Sequence, residues 1–291
     1  MPSWKPEPSG ATTFATLAAL PDDVLDVAVG ASLIAKDVYP DLDVRALLAQ
    51  LDGLAGPLAG GALAGLPIAE QAAAVSARFR ELGFEGNVDD YYDVKNSLLP
   101  DVLERRRGIP ITLTLVWCTI ARRAGVLARG VGFPGHFLAR VDEVPALSGR
   151  TSLTTPVIVD PFGGGAVVSD DTARELLHRA GGRGELDRSF FEPTGPRMTL
   201  VRMLTNLKTI WEATGNHPRV FVVIDRMVSL MPDSPRLLRD RAGAALRLGL
   251  RDLARYDYER VLTLEPKAND ASLLRKRIAE LTPKASPQIL N

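Results

Sequence analysis

The chain has 291 residues, length for two or more units of ordinary size. Its 46% hydrophobic and 24% charged residues are those of a soluble globular protein, and 35 basic residues balance 35 acidic ones, which removes the bulk electrostatic case for nucleic acid or an anionic membrane. One cysteine excludes an internal disulfide framework and a multi-thiolate metal site, and it suits a reducing cytoplasm.

The opening "MPSWKPEPSG" is polar and proline-rich without an apolar core, so residues 1–12 read as a disordered tail and no secretory signal is expected. The apolar run Gly53–Ala69 is broken throughout by Gly and Pro, so it reads as a turn or loop and not as a membrane span. Residues 13–90 read as a helical region. One helix is predicted over Asp22–Val38 from the spacing of Leu25, Val29 and Leu33. A second follows the N-cap Asp43 and ends near Gly53, and a third starts after Pro67 and stops at Gly83. "GFEGNVDDYYDVK" reads as a loop leading to a helix in "NSLLPDVLERRRG", where Pro100 is tolerable only in the first turn.

"GIPITLTLVWCTIARRAG" is bracketed by Pro110 at a first-turn position and Gly125 as a stop, giving a helix of about four turns. "ARGVGF", "HFLARVD" and "TPVIVDPF" follow as short strands, with His136, Leu138 and Arg140 predicted on one face and Phe137, Ala139 and Val141 on the other. A helix followed by a meander of strands is an α+β pattern. "SDDTARELLHRAGG" returns to helix, and Leu200, Leu204, Leu207 and Trp211 form an apolar stripe. Beyond it, "RMVSLMPDSP" recurs as "RVLTLEPKAND" at an offset of 34 residues, matching Arg226, Leu230 and Pro232 to Arg260, Leu264 and Pro266. That period, with Pro after the second helix, is that of tetratricopeptide (TPR) helical hairpins, expected over residues 196–283.

Cys118, His136 and Asp160 occur in the order of a thiol triad. "NSLLPDVLERRRGIPITLTLVW", "GVGFPGHFLARV" and "DPFGGG", followed by TPR units, resemble the bacterial SirB invasion-regulator family from about Tyr91 to Leu281. Asn96, Arg106, Arg107, Gly108, Pro110, Gly135, His136, Asp160 and Pro161 stand where that family's motif has them, whereas Pro100 departs from the polar residue usual there. The resemblance implies a transglutaminase-like domain, placed at residues 91–195, with a papain-type core of one helix on an antiparallel sheet. It also implies a nucleophilic Cys at the helix N-terminus, where the helix dipole favours a thiolate, with His as its base and Asp as the orienting partner.

In active members, as the resemblance implies, the Cys stands about four turns before the Gly that ends the helix. Here that position falls on or near Pro110, and none of Gly108–Thr112 is Cys. Cys118 lies eight residues further on, ~12 Å along the axis, beyond the reach of the dipole. Its neighbours Leu115, Trp117, Ile120 and Ala121 favour a buried, inert thiol. Thr112 or Thr114 as a substitute nucleophile lacks a base, and backbone-bonded helix residues are expected instead.

His136 and Asp160 are expected to share a hydrogen bond in a cleft, although "VDP" also suits a strand-to-turn device in which Asp bonds the following backbone. Asn96, Arg106 and Arg107 join them as candidate binding residues. A metal held by His136, Asp160 and one of Asp89, Asp90 or Asp93 is the weaker alternative, so neither metal nor cofactor is expected. "RRRG" (Arg105–Gly108) reads as cations complementing a helix C-terminus, and "FGGG" (Phe162–Gly165) as a mobile turn rather than a phosphate loop. His178 and His217 are expected in solvent.

The sequence therefore points to a catalytically inactive transglutaminase-like domain joined to TPR repeats, cytoplasmic, binding a protein or peptide partner through the repeats and neither nucleic acid nor membrane. The alternative is a cysteine-type hydrolase or acyltransferase using Cys118, His136 and Asp160.

Overall fold

The structure, a computed structural model, describes residues 12–144, 155–182 and 185–282, so the tail expected at residues 1–12 falls almost wholly outside the described residues. The chain forms two compact units, Met1–Met203 and Leu204–Asn291. The whole is a mixed α+β protein.

The first unit opens with α1 (Phe14–Ala18), α2 (Val27–Lys36), α3 (Val44–Gly53) and α4 (Ile68–Glu81). The first three start where a side-chain oxygen meets the orphan N–H groups of a first turn. Thr13 accepts from Thr16 N, Asp26 from Ala28 N at 2.7 Å and Val29 N, and Asp43 from Ala46 N at 3.0 Å. Asp26 thus corrects the expected start at Asp22, whose carboxylate instead takes the Arg197 guanidinium at 2.7 Å. The five-residue α1 was not anticipated.

A second correction falls on "GFEGNVDDYYDVK". It holds β1 (Glu85–Gly86), which pairs in parallel with β2 (Arg107–Gly108) across α5 (Leu99–Arg105). The "RRRG" run is likewise split. Only Arg105 ends the helix, Arg106 is a left-handed cap at φ 59°, and Arg107 is in the strand.

Helix α6 (Pro110–Arg123) is apolar on nearly every side, so it is buried all round. Pro110 and Gly125 (φ 82°) bracket it. It lies among α3, α4, α5 and one face of an antiparallel sheet in sequential order: β3 (Leu127–Val131), β4 (Leu138–Asp142), β5 (Val157–Asp160) and β6 (Ala166–Val167). The opposite face carries Val131, Phe133, Leu138 and Ile158, packed on Ala173 and Leu177 of α7 (Asp170–Arg179) and on Phe191. Because both faces are covered, Leu138, Ala139 and Val141 are all fully buried, and the predicted two-face alternation of "HFLARV" does not separate core from solvent. Arg140 reaches Asp142 and the Phe191 carbonyl, and His136 precedes the strand instead of belonging to it. "FGGG" closes the β5–β6 hairpin: Gly164 N donates to Pro161 O and Gly165 N to Asp160 O at 2.8 Å.

α8 (Pro196–Ala213) leads into the repeat unit, followed by α9 (His217–Leu230), α10 (Pro235–Arg247), α11 (Arg251–Leu264) and α12 (Ala271–Leu281). Residues 34 apart share conformation. Gly215 and Gly249 are left-handed at φ 68° and 75°, and the C-caps Met231 and Glu265 lie at (−134°, 69°) and (−129°, 71°). Pro232 and Pro266 follow those caps, where a helix cannot continue.

Candidate functional site

The site is built where β1, the start of α6 and the β4 and β5 ends converge. Thr112 Oγ1 accepts from Ile109 N at 3.1 Å and lies 2.8 Å from Asn96 O, fixing the first turn of α6 to the preceding loop. A Cβ on Gly108 would sit 2.7 Å from that oxygen, which gives the glycine of the "RRRG" motif its physical reason. Thr114 Oγ1 donates to Phe137 O at 3.2 Å, not to its own helix, and so brings the second turn beside His136.

His136 Nε2 lies 2.9 Å from Asp160 Oδ1, with the two side chains 12% and 14% exposed, close enough to solvent for a ligand to reach them. The same Oδ1 accepts from Phe162 N at 3.0 Å. Asp160 therefore orients the imidazole and starts the hairpin turn with one oxygen, joining two roles set against each other in the sequence. Nδ1 of His136 has no hydrogen bond among the described residues. In a papain-like arrangement this nitrogen would face a nucleophile.

Among the described residues no thiol or hydroxyl is bonded to it. Pro110 opens α6, and Cys118 lies two turns further along. Burial pushes the Cys118 thiol up to about 12, with Arg122 opposing, even though the residue keeps part of its surface accessible. Cys118 makes no hydrogen bond to His136 or Asp160, and neither Thr112 nor Thr114 bonds the imidazole.

Three residues that the sequence did not single out complete the site. Phe162 meets the His136 ring edge-on at 5.8 Å and Tyr91 at 6.1 Å, and Tyr91 meets Tyr92 at 5.4 Å. Phe162 lies so close over β1 that a Cβ on Gly86 would come within 2.7 Å of its ring. Arg202, on α8, donates from Nη2 to His136 O at 2.8 Å and stacks on Phe137 at 5.1 Å. Burial lowers the Arg202 pKa, and Tyr91 opposes that shift; burial and Tyr92 raise the Tyr91 pKa, and Arg202 opposes. "DPFGGG" placed Phe162 beside Asp160, but nothing in the chain around Arg202 marks it.

The other candidates take separate positions. Buried Asn96 donates from Nδ2 to Asp90 O at 2.7 Å and Tyr91 O at 3.3 Å, and accepts from Asn87 Nδ2 at 3.0 Å, so it shapes the loop that presents Tyr91. The Arg106 guanidinium lies 4.7 Å over the Phe84 ring, and Arg107 pairs with Glu85 at 2.6 Å; no hydrogen bond or ion pair of either reaches His136 or Asp160. Asp93 is held by Arg105 at 2.6 Å and by Lys95 N; these outweigh burial and keep its carboxyl below the usual range. Among the described residues no three His, Cys, Asp or Glu side chains gather as metal ligands. None of the helices described there is long and apolar enough to cross a membrane. A surface depression of about 750 Å³ is lined by repeat-unit residues, and its Arg239 already pairs with Glu265 and Asp270.

Comparison with known proteins agrees with this architecture. The profile of the transglutaminase-like superfamily matches residues 45–205, and that of the tetratricopeptide repeat matches residues 207–279. A UPF0162 protein of Xylella fastidiosa (strain 9a5c) is 36% identical over 273 residues, covering 92% of this chain and 94% of the relative. One from Pseudomonas aeruginosa is 30% identical over 253 residues, 87% and 90% of the two chains. F-box only protein 21 of Homo sapiens is similar over a shorter stretch, 29% identical across 175 residues, 59% of this chain and 27% of that protein. No solved structure matches significantly. By its helix-and-sheet core, its repeat segment and these relatives, the chain belongs to the transglutaminase-like superfamily and, within it, to the UPF0162 proteins.

Proposed function

We propose that this chain is a protein-interaction or regulatory module of the cytoplasm, in which a transglutaminase-like core holds a His–Asp pair without a nucleophile. The observation that carries this reading is the occupancy of α6. Pro110 stands where the resemblance to active members places the thiol, and Cys118 is ~12 Å further along the helix axis with its pKa pushed up to about 12. A thiol with so high a pKa holds almost no thiolate at neutral pH, and the thiolate is the nucleophile. The TPR repeats supply a fold that generally mediates protein–protein interaction, which favours a protein or peptide partner. The regulatory colour comes from the SirB resemblance, and a single cysteine suits a reducing compartment.

The competing reading, a cysteine-type hydrolase or acyltransferase, requires Cys118 to titrate as an accessible nucleophile. Iodoacetamide at pH 8 should modify native Cys118 at least about a hundredfold more slowly than the unfolded chain, since three pKa units cut the thiolate fraction about a thousandfold and partial exposure returns some of that. The full chain, assayed with ester and glutamine-amide substrates, should show no turnover above background. Turnover abolished by His136→Ala would overturn the proposal.

A further inference from the structure

Gly30 of α2 and Gly243 of α10 both lie inside helices, and packing explains only the first. A Cβ on Gly30 would come within 2.5 Å of the Leu200 side chain, so a neighbour excludes any larger residue there. A Cβ on Gly243 would meet nothing within 4 Å, and Gly243 is partly exposed within a regular helix. A helix-interior glycine weakens its helix relative to almost any other residue, and neither a turn nor a neighbour in the chain requires this one. What a bare position supplies is room for the close approach of a second backbone.

Cations flank Gly243 on its own face of the helix. At about 100° per residue, Arg236, Gly243 and Arg247 fall within about 40° of one another, on the side away from the buried Leu238 and Ala245. Both arginines are exposed, and neither has an ion pair among the described residues, whereas Arg239 is taken by Glu265 and Asp270 and Arg241 by Asp225 and Asp257. Asp240, beside them on α10, is neutralised by Lys208 of α8 at 3.4 Å. The imbalance extends to the whole unit. Leu204–Asn291 has 15 basic and 10 acidic residues and Met1–Met203 has 20 and 25, a separation that the even balance of the chain conceals. We propose that the exposed face of α10 is a docking surface for an extended acidic peptide of a partner protein, with the peptide backbone over Gly243 and its carboxylates on Arg236 and Arg247.

The spacing sets the form of the ligand. Arg236 and Arg247 stand ~16 Å apart along the helix axis, a length that about five residues of extended chain span. Each planar guanidinium matches a carboxylate in a two-point contact, and the bare position between them admits a backbone where a side chain would hold it off. Exposed charges are screened by salt, so the contact is strongest at low ionic strength. This assignment rests on the reading of the repeats as the interaction segment, and it names the face and the chemistry of the partner.

The test titrates the full chain at low salt into fluorescent peptides of about ten residues that alternate Glu–Ser, Gln–Ser or Lys–Ser, read by anisotropy. The Glu–Ser peptide should bind saturably and at least about tenfold more tightly than either of the others, and added salt should weaken it. Arg236→Gln and Arg247→Gln should each weaken binding about threefold or more, whereas Lys95→Gln, which removes the same charge from an exposed site in the first unit, should leave it unchanged. Gly243→Gln is the sharpest variant. It places a good helix former in open space, so it should raise Tm while weakening binding at least about tenfold, and a folding defect cannot produce that pair of changes. An equal loss on Lys95→Gln, full binding by Gly243→Gln, or tighter binding of an oligouridylate than of the Glu–Ser peptide would overturn the proposal. So would a chain that sediments as a dimer and becomes monomeric on Arg247→Gln, which would give this face to a second copy. Turnover of ester or glutamine-amide substrates would overturn the inactive-core reading and leave this binding measurable. Failure of the Glu–Ser peptide to bind would overturn this assignment and leave that reading standing.

Discussion

The two units solve the problem of filling their interiors differently. The first is organised around one helix, α6, whose Leu113, Val116, Trp117, Ile120 and Ala121 have no exposed surface at all. Its polar bonds are few and specific, such as Trp117 Nε1 to Ser76 Oγ at 3.2 Å. The repeat unit joins its helices with ion pairs. Arg241 of α10 reaches Asp225 of α9 at 2.8 Å and Asp257 of α11 at 2.7 Å, and Asp257 is completely buried. A central apolar helix leaves the surrounding loops free to carry a site. A stack built on nearest-neighbour contacts instead spreads its stability along the chain.

This contrast can be broken most strongly at Arg241. Arg241→Met should cost about 3–5 kcal/mol, because it strands the buried Asp257 carboxylate, whereas Arg241→Met with Asp257→Leu should return to within about 1 kcal/mol of the parent. Urea midpoints of the single and double variants decide it. A single variant as stable as the parent would show that the ion pair does not hold the stack. The first unit's counterpart is Asn96, where Asn96→Ala should cost about 2–3 kcal/mol by leaving the Asp90 and Tyr91 carbonyls and the Asn87 amide unpaired. Asn96→Asp should fare no better, since a carboxylate cannot donate to those carbonyls.

The units also differ in how much the sequence disclosed. Where a local group decides the outcome, the reading holds. Pro110 and Gly125 end α6 by their own backbone chemistry, and the spacing of Pro232 and Pro266 gave the repeat its period. Asp22 and Asp26 are both able to start α2, and only tertiary packing separates them: Arg197 takes Asp22, while Leu25 buries itself and leaves Asp26 at the cap. The parallel pair β1–β2 has two residues per strand, too short for any periodicity. The positions of His136 and Asp160 were legible because motif and turn chemistry are local to them. Tyr91 reaches Phe162, Phe162 reaches the His136 ring, and Arg202 of α8 reaches the His136 carbonyl from 66 residues away, all only through the fold, so no window of sequence contains these relations.

The smallest expected effect concerns pH and sets a neutral–charged hydrogen bond of the first unit against the repeat unit's ion pairs. The Tyr39 hydroxyl donates to Asp101 Oδ2 at 2.9 Å, and burial, then that bond and the Asp101 charge, push its pKa up to about 12. A pKa raised in the folded state favours the protonated phenol, so its contribution is fully present below about pH 10 and is lost as pH rises through about 12. Two units would correspond to about 2.7 kcal/mol, but Tyr39 is 36% exposed, and solvent screening reduces this to about 1 kcal/mol. Tyr39→Phe should therefore lower stability by about 1 kcal/mol at pH 8, with the gap to the parent narrowing between pH 10 and 11.5. Denaturant midpoints of the two proteins across that range give the gap directly. A constant gap would mean that packing of the ring, and not its proton, is what Tyr39 contributes; the repeat unit's arginines, charged throughout this window, supply the flat baseline.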